Sequence, residues 1–117
     1  MGIKETNIVT ESQLTLSPLG VVLWKNVRGV FRQLRSEARI RAGLGPNGAS
    51  DGIGYQKIII TQAMVGLPMA RFCAIEFKTA DGEERQHQQR FIDRVNADGG
   101  VAGFARSAED AKRLFPK

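Results

Sequence analysis

Apolar positions recur at helical spacing near both ends of the chain and in short β-branched runs between them. Within 4–19, Glu5, Ile8, Val9, Ser12, Leu16 and Leu19 fall at offsets 0, 3, 4, 7, 11 and 14, one face of a helix. Pro18 removes a hydrogen bond from the last turn, which allows the helix to stop near Leu14 and restart as a short turn at Ser17-Pro18. Residues 21–25 (VVLWK) read as a buried strand with Trp24 in the core, base stacking being the alternative for that ring, and 26–29 as a turn. The stretch 30–42 reads two ways: Arg28, Arg32, Arg35 and Arg39 are spaced for a basic helical stripe, and the same residues suit two short strands joined at Ser36-Glu37. Residues 43–54 (GLGPNGASDGIG) form a shaped loop. Strands are expected at 55–61 (YQKIIIT) and 71–79 (RFCAIEFKT), the latter with both faces apolar at its start and hence covered on both sides. A helix over about 83–97 stops at Gly99-Gly100, 101–105 is a short strand, and Ser107-x-x-Asp110 caps a last helix that buries Ala108, Ala111, Leu114 and Phe115.

A chain of 117 residues with 42% apolar and 25% charged residues is expected to be one globular domain, 1–117. Apolar runs such as Val21–Trp24 fall far short of the ~20 residues of a membrane span, so no membrane partner is expected. The polar N-terminus does not resemble a secretion signal, and the single cysteine, Cys73, excludes an internal disulfide framework; a cytoplasmic setting fits. Cys73 itself reads as core packing.

Charge adds more than composition does. The net charge is +5, and the segment 21–60 alone carries +5, between flanks of −1 and +1. Lys25, Arg28, Arg32, Arg35, Arg39 and Arg41 supply most of it, and arginine grips phosphate oxygens in pairs. This block reads either as a surface for a polyanion, nucleic acid first, or as a solvated basic face.

Candidate chemistry gathers at the end of the strand 71–79. Alternation puts Phe72, Ala74, Glu76 and Lys78 on one face and Cys73, Ile75 and Phe77 on the other, so a carboxylate and an ammonium meet at the margin of a core. A structural ion pair is the alternative reading. Asp51 ends the glycine loop where the next strand opens. If 51–61 and 71–79 pair, at about 4.8 Å, Asp51 and Glu76 converge on one cation; two carboxylates with several waters suit Mg²⁺. Gln88 starts the face that Phe91, Ile92 and Val95 continue, and reads either as a partner for that site or as a rim residue in water. Glu5 begins the apolar stripe of the first helix, and Glu11 heads a weaker one. His87, the only histidine, is one position off the Gln88 face and expected to be exposed.

The order Asp51 … Ile75-Glu76-Phe77-Lys78 is the D…(D/E)xK pattern of restriction-endonuclease-like nucleases. With E-x-x-I at 5–8, LGVVLWKNVRG at 19–29, GASDGIG at 48–54, Q-x-x-F-I at 88–92 and GG…ARSAEDA at 99–111, the chain resembles the virus-type replication-repair nuclease (VRR-NUC) group along nearly its whole length. It departs from that pattern at Arg85, where a small polar residue is common three positions before the glutamine, and at Pro18. The resemblance implies an α/β fold with a restriction-endonuclease-like core, a mixed central sheet flanked by helices. It implies that Asp51, Glu76 and the Phe77 carbonyl hold Mg²⁺ or Mn²⁺, that Lys78 orients or helps deprotonate the attacking water, and that Gln88 and Glu5 position that water or Lys78. It favours strands over a helix for 30–42, giving a basic hairpin beside a DNA groove. The implied activity is endonucleolytic cleavage of DNA, branched forms such as four-way junctions first, by a homodimer in a bacterial or phage-infected cell. An exonuclease or flap nuclease with the same site, and a DNA-binding module without catalysis, are the alternatives.

Overall fold

Twelve residues free of glycine and proline, Glu5–Leu16, form helix α1 in the computed structural model. The model describes residues 5–27, 29–32, 39–46 and 48–116, with backbone alone at 5–6, 29–32 and 39–42. The chain divides into two compact units, 1–58 and 59–117. The division falls after the glycine loop, not within it.

In the first unit, α1 gives way at Leu16 to a single 3₁₀ turn, Ser17–Leu19. Pro18 lies in its first positions, where a missing N–H breaks no helical bond. Gly20 ends the turn at φ 79°, a left-handed conformation that a side chain rarely adopts. Val9, Ser12, Gln13 and Leu16 are half-buried while Ile8 is exposed, so the covered stripe lies slightly round from the expected one. Gln13 explains the rotation: its amide donates to the Leu23 carbonyl at 2.9 Å, fastening α1 to strand β1, Val21–Lys25. Trp24 is half-buried and tilts against Tyr55, their centroids 5.9 Å apart.

A hairpin resolves the ambiguous basic stretch into strands. β2, Gly29–Arg32, runs antiparallel to β3, Arg39–Ala42, with Arg32 opposite Arg39 and Val30 opposite Arg41. Arg28 and Arg35 lie outside the described residues. β4 spans Gly52–Gln56 and pairs antiparallel with β1 from Lys25↔Gly52 to Val21↔Gln56. A Cβ at Gly54 would collide with the Val22 carbonyl oxygen, so this close approach requires glycine. The strand expected over 55–61 thus starts and stops early. A strand lasts only as long as its partner, and β1 begins at the Gly20 turn, whose carbonyl takes the last bond, from Lys57 N–H at 2.8 Å.

The second unit opens on an irregular segment around a 3₁₀ turn, Gln62–Met64, in which Ile59, Ile60, Val65, Leu67 and Met69 are each more than half exposed. β5, Cys73–Phe77, and β6, Val101–Ala105, pair in parallel through the crossover helix α2, Gln86–Ala97. Ile92 and Val95, at offsets 4 and 7 from Gln88, are buried against Ala102, with Phe72, Ala74 and Phe104 around them. Asn96 covers the free edge of β6, donating to the Ala102 carbonyl at 3.0 Å and accepting its N–H at 2.9 Å. Helix α3, Ala108–Arg113, starts as expected, with Ser107 Oγ accepting the Asp110 N–H at 3.1 Å. It packs over β6, where the Leu114 side chain fills the space a Cβ on Gly103 would need.

Two expectations about burial are corrected here. Cys73 is exposed, as is Phe77 at 67%, because α2 covers one face of β5 while α3 lies over β6 on the other. Ala108 and Phe115 are exposed as well; of the four residues expected to be buried there, Ala111 and Leu114 are half-buried. The class is mixed α/β, with helices against small sheets. Its strands form three two-stranded ladders, β1–β4, β2–β3 and β5–β6, so the side-by-side pairing of 51–61 with 71–79 is not among the described ladders.

Candidate active site

The second unit brings three of the expected residues together. Ala74 is committed to the core under α2, and Glu76 is the next residue on that face of β5, at the core's margin. Gln88 occupies the first turn of α2. Its Nε2 donates to Glu76 Oε1 at 2.8 Å, and its Oε1 accepts the backbone N–H of Arg85, the N-cap residue, at 3.1 Å. Each end of the amide therefore meets a partner of opposite character, and a flipped amide would lose both bonds. Arg85 stands at the N-cap of α2, and Gln88 reaches back to accept its N–H, the reciprocal half of a capping box. The positive end of the α2 backbone dipole lies beside the carboxylate.

Lys78 follows β5 directly, its N–H bonded to the Ala105 carbonyl at 3.0 Å. Its Nζ lies 3.8 Å from Glu76 Oε1, with the Lys78 side chain 14% exposed and that of Glu76 41%. At that distance the pair is electrostatic and not hydrogen-bonded, so the ammonium hydrogens are not committed to Glu76. Both described partners use Oε1, and Oε2 remains for an external group. Glu76 and Gln88 also line a cleft of about 490 Å³, together with Ala74, Ile75, His87, Phe91 and Ile92. His87 is exposed, as expected, and also faces this cleft.

Asp51 and Glu5 belong to the first unit. Asp51 immediately precedes β4, as expected, and is exposed. Glu5 is the first residue of α1, and its side chain lies outside the described residues; Glu11 is exposed. Of the basic block, Lys25 ends β1 and is exposed, while Arg32, Arg39 and Arg41 hold register positions in the β2–β3 ladder.

Two organising residues were missed by the sequence reading. Asn26, expected in a turn, is buried and bonded to the loop that leads into Asp51. Arg106 donates to the Thr79 and Ala80 carbonyls and pairs with Glu84 at 3.6 Å, tying down the segment that follows Lys78. Its sequence signal is its place in the ARSAEDA run directly after a strand, which by itself names no partner.

Among the described residues, no three His, Cys, Asp or Glu side chains cluster as a ready-made metal cage. The donors on offer are carboxylate oxygens, hard ligands suited to Mg²⁺ or Mn²⁺, which retain several waters and need few protein groups. The donor chemistry therefore fits such a cation. No described helix is long and apolar enough to cross a membrane. The chain matches no family model, no curated protein and no solved structure.

Proposed function

We propose that the protein is a metal-dependent, structure-specific DNA endonuclease that hydrolyses phosphodiester bonds, in branched DNA such as four-way junctions. The observation that carries this reading is the Glu76 carboxylate held by Gln88 with the Lys78 ammonium 3.8 Å away, at the end of a strand and the edge of a cleft. What supports the reading is that Glu76 and Lys78, the E-x-K of the VRR-NUC-like pattern, lie side by side in space. Asp51, Glu76 and the Phe77 carbonyl are the residues assigned to Mg²⁺ or Mn²⁺, which when bound acidifies water and offsets phosphate charge. Lys78 donates a hydrogen bond to the attacking water, relays its proton by giving one of its own to solvent as it takes it up, and places a positive charge near the non-bridging oxygens as charge builds there. Gln88 keeps Glu76 in one orientation, and Glu5 is assigned a supporting role in positioning.

The basic hairpin supplies the backbone grip. Arg32 and Arg39 hold opposite register positions in the β2–β3 ladder, and arginine grips phosphate oxygens in pairs. Changing both residues to alanine is expected to weaken binding to every DNA by a similar factor. The magnitude of the salt slope should fall by up to about two units, at roughly 0.9 per phosphate contact on duplex DNA. The melting temperature of the free protein should not fall. Salt-dependent binding titrations check this, and an unchanged slope makes the hairpin a solvated face. The exposed apolar residues of 59–69 suit contact with a second copy, and a homodimer with two-fold symmetry suits paired cuts across a junction.

The direct test is incubation of labelled linear, flap and four-way DNA with and without Mg²⁺. Cleavage only with the cation, and faster on the four-way form, is expected. Preference for flaps replaces the junction reading with a flap nuclease. Binding without cleavage of any form reduces the protein to a DNA-binding module.

A further inference from the structure

Asn26 is the buried polar side chain of the described residues, 6% exposed. Its Oδ1 accepts the Leu44 N–H at 2.8 Å, and its Nδ2 donates to the carbonyls of Leu44 and Ser50, each at 3.1 Å. Its backbone N–H donates to the Asp51 carbonyl at 2.6 Å. The amide thus pairs with Leu44 on both sides, as a second peptide group would, and uses its remaining reach on Ser50. Three parts of the chain meet on this residue: the exit from β1 at 26, the return from β3 at 44, and the entry to β4 at 50–51.

Asp51 is held by this arrangement and by the β1–β4 ladder that follows it. Its carboxylate makes no hydrogen bond or ion pair among the described residues, so the groups that place it are those that hold its backbone. That backbone is fixed on the C-terminal side by the β1–β4 ladder and on the N-terminal side by Asn26. A metal-binding carboxylate must be held within about 0.5 Å of its working place by groups behind it. We infer that Asn26 is a positioning residue for Asp51, setting the carboxylate that the proposed nuclease uses to bind its cation. The inference rests on the reading of Asp51 as a metal ligand.

The test is Mn²⁺ binding to the full chain without DNA, followed by electron paramagnetic resonance, in wild type, Asp51→Ala, Asn26→Asp and Asn26→Ala. Asn26→Asp keeps the shape and the acceptor for Leu44 N–H. It replaces the donor by an oxygen facing two carbonyl oxygens, so the loop must open. The added negative charge alone would tighten cation binding, so weakening cannot be a charge effect. Asn26→Ala leaves the freed loop groups to water. We expect Asp51→Ala to lose the Mn²⁺ site and both Asn26 variants to weaken it roughly 10- to 100-fold, measured well below their melting temperatures. A merely structural asparagine lowers the melting temperature and leaves Mn²⁺ affinity unchanged, and that result overturns the inference while sparing the metal reading. If Asp51→Ala binds Mn²⁺ like wild type, or wild type binds none, the metal reading fails and the inference falls with it. If neither Asn26 variant folds, Asn26 is a residue of the fold and the inference is overturned.

Discussion

Replacing Glu76 by glutamine is expected to abolish cleavage, lowering turnover by about a thousandfold or more, the scale on which charge-stabilising groups act. The change is nearly isosteric. A glutamine carbonyl at 76 still accepts the Gln88 amide, whose donor now stands 2.8 Å from Glu76 Oε1, so the seating of α2 on β5 survives. The negative charge does not. A neutral amide is a poor ligand for a hard divalent cation, and Lys78 loses the counter-charge 3.8 Å away. Because the carboxylate is partly open to water, the stability cost of losing the pair is about 1 kcal/mol or less. DNA binding through the basic hairpin should persist. Single-turnover cleavage assays, thermal melts and binding titrations on the same preparation separate these effects. Gln88→Ala should act more mildly, roughly 10- to 100-fold, as expected for a group that orients a ligand without being one. Wild-type turnover in Glu76→Gln at saturating Mg²⁺ removes Glu76 from the reaction.

The parts of this molecule that were legible in its sequence are those governed by short-range rules. Pro18 marks a break at the end of α1, which stops at Leu16 where a stop near Leu14 was expected, and the short turn at Ser17-Pro18 follows, because proline acts on its own backbone. The Gln88, Ile92 and Val95 face follows from helical period alone, and two of its members are indeed buried. The Ser107 cap needs only the three residues after it. What was not legible depends on distant segments. The run 57–61 has strand chemistry, but a strand needs a partner, and β1 ends its ladder at Gln56. Cys73 looks like a core residue until one knows that α3 lies over β6. Asn26 sits in a stretch that reads as a turn, and its burial is decided by residues 18 and 24 positions later. The link between Glu76 and Gln88 lies between these cases. Period placed each at the margin of a core, but their contact depends on where the crossover helix lands on the strand.

Lys78 gives the sharpest test of how the carboxylate and the ammonium divide the work. Lys78→Ala should lower turnover by about 10²- to 10⁴-fold, the range of general acid–base contributions, while the Mg²⁺ concentration for half-maximal rate stays close to that of wild type. The lysine does not hydrogen-bond Glu76 at 3.8 Å, so its removal leaves the carboxylate in place on Gln88. Lys78→Arg should fail differently. Guanidinium keeps the positive charge, but it is broad, planar and always protonated, and it matches a carboxylate with two parallel bonds. With a stem as enclosed as that of Lys78, 14% exposed, the arginine head has Glu76 as its nearest anion and would engage both oxygens, including the Oε2 that the lysine leaves open. The arginine variant should therefore show low turnover together with a raised Mg²⁺ requirement. Rate measured against Mg²⁺ concentration for both variants distinguishes the two failures. Equal and normal Mg²⁺ requirements in both would mean that Glu76 does not present Oε2 to the cation, and near-normal turnover in Lys78→Ala would place the proton chemistry on another group.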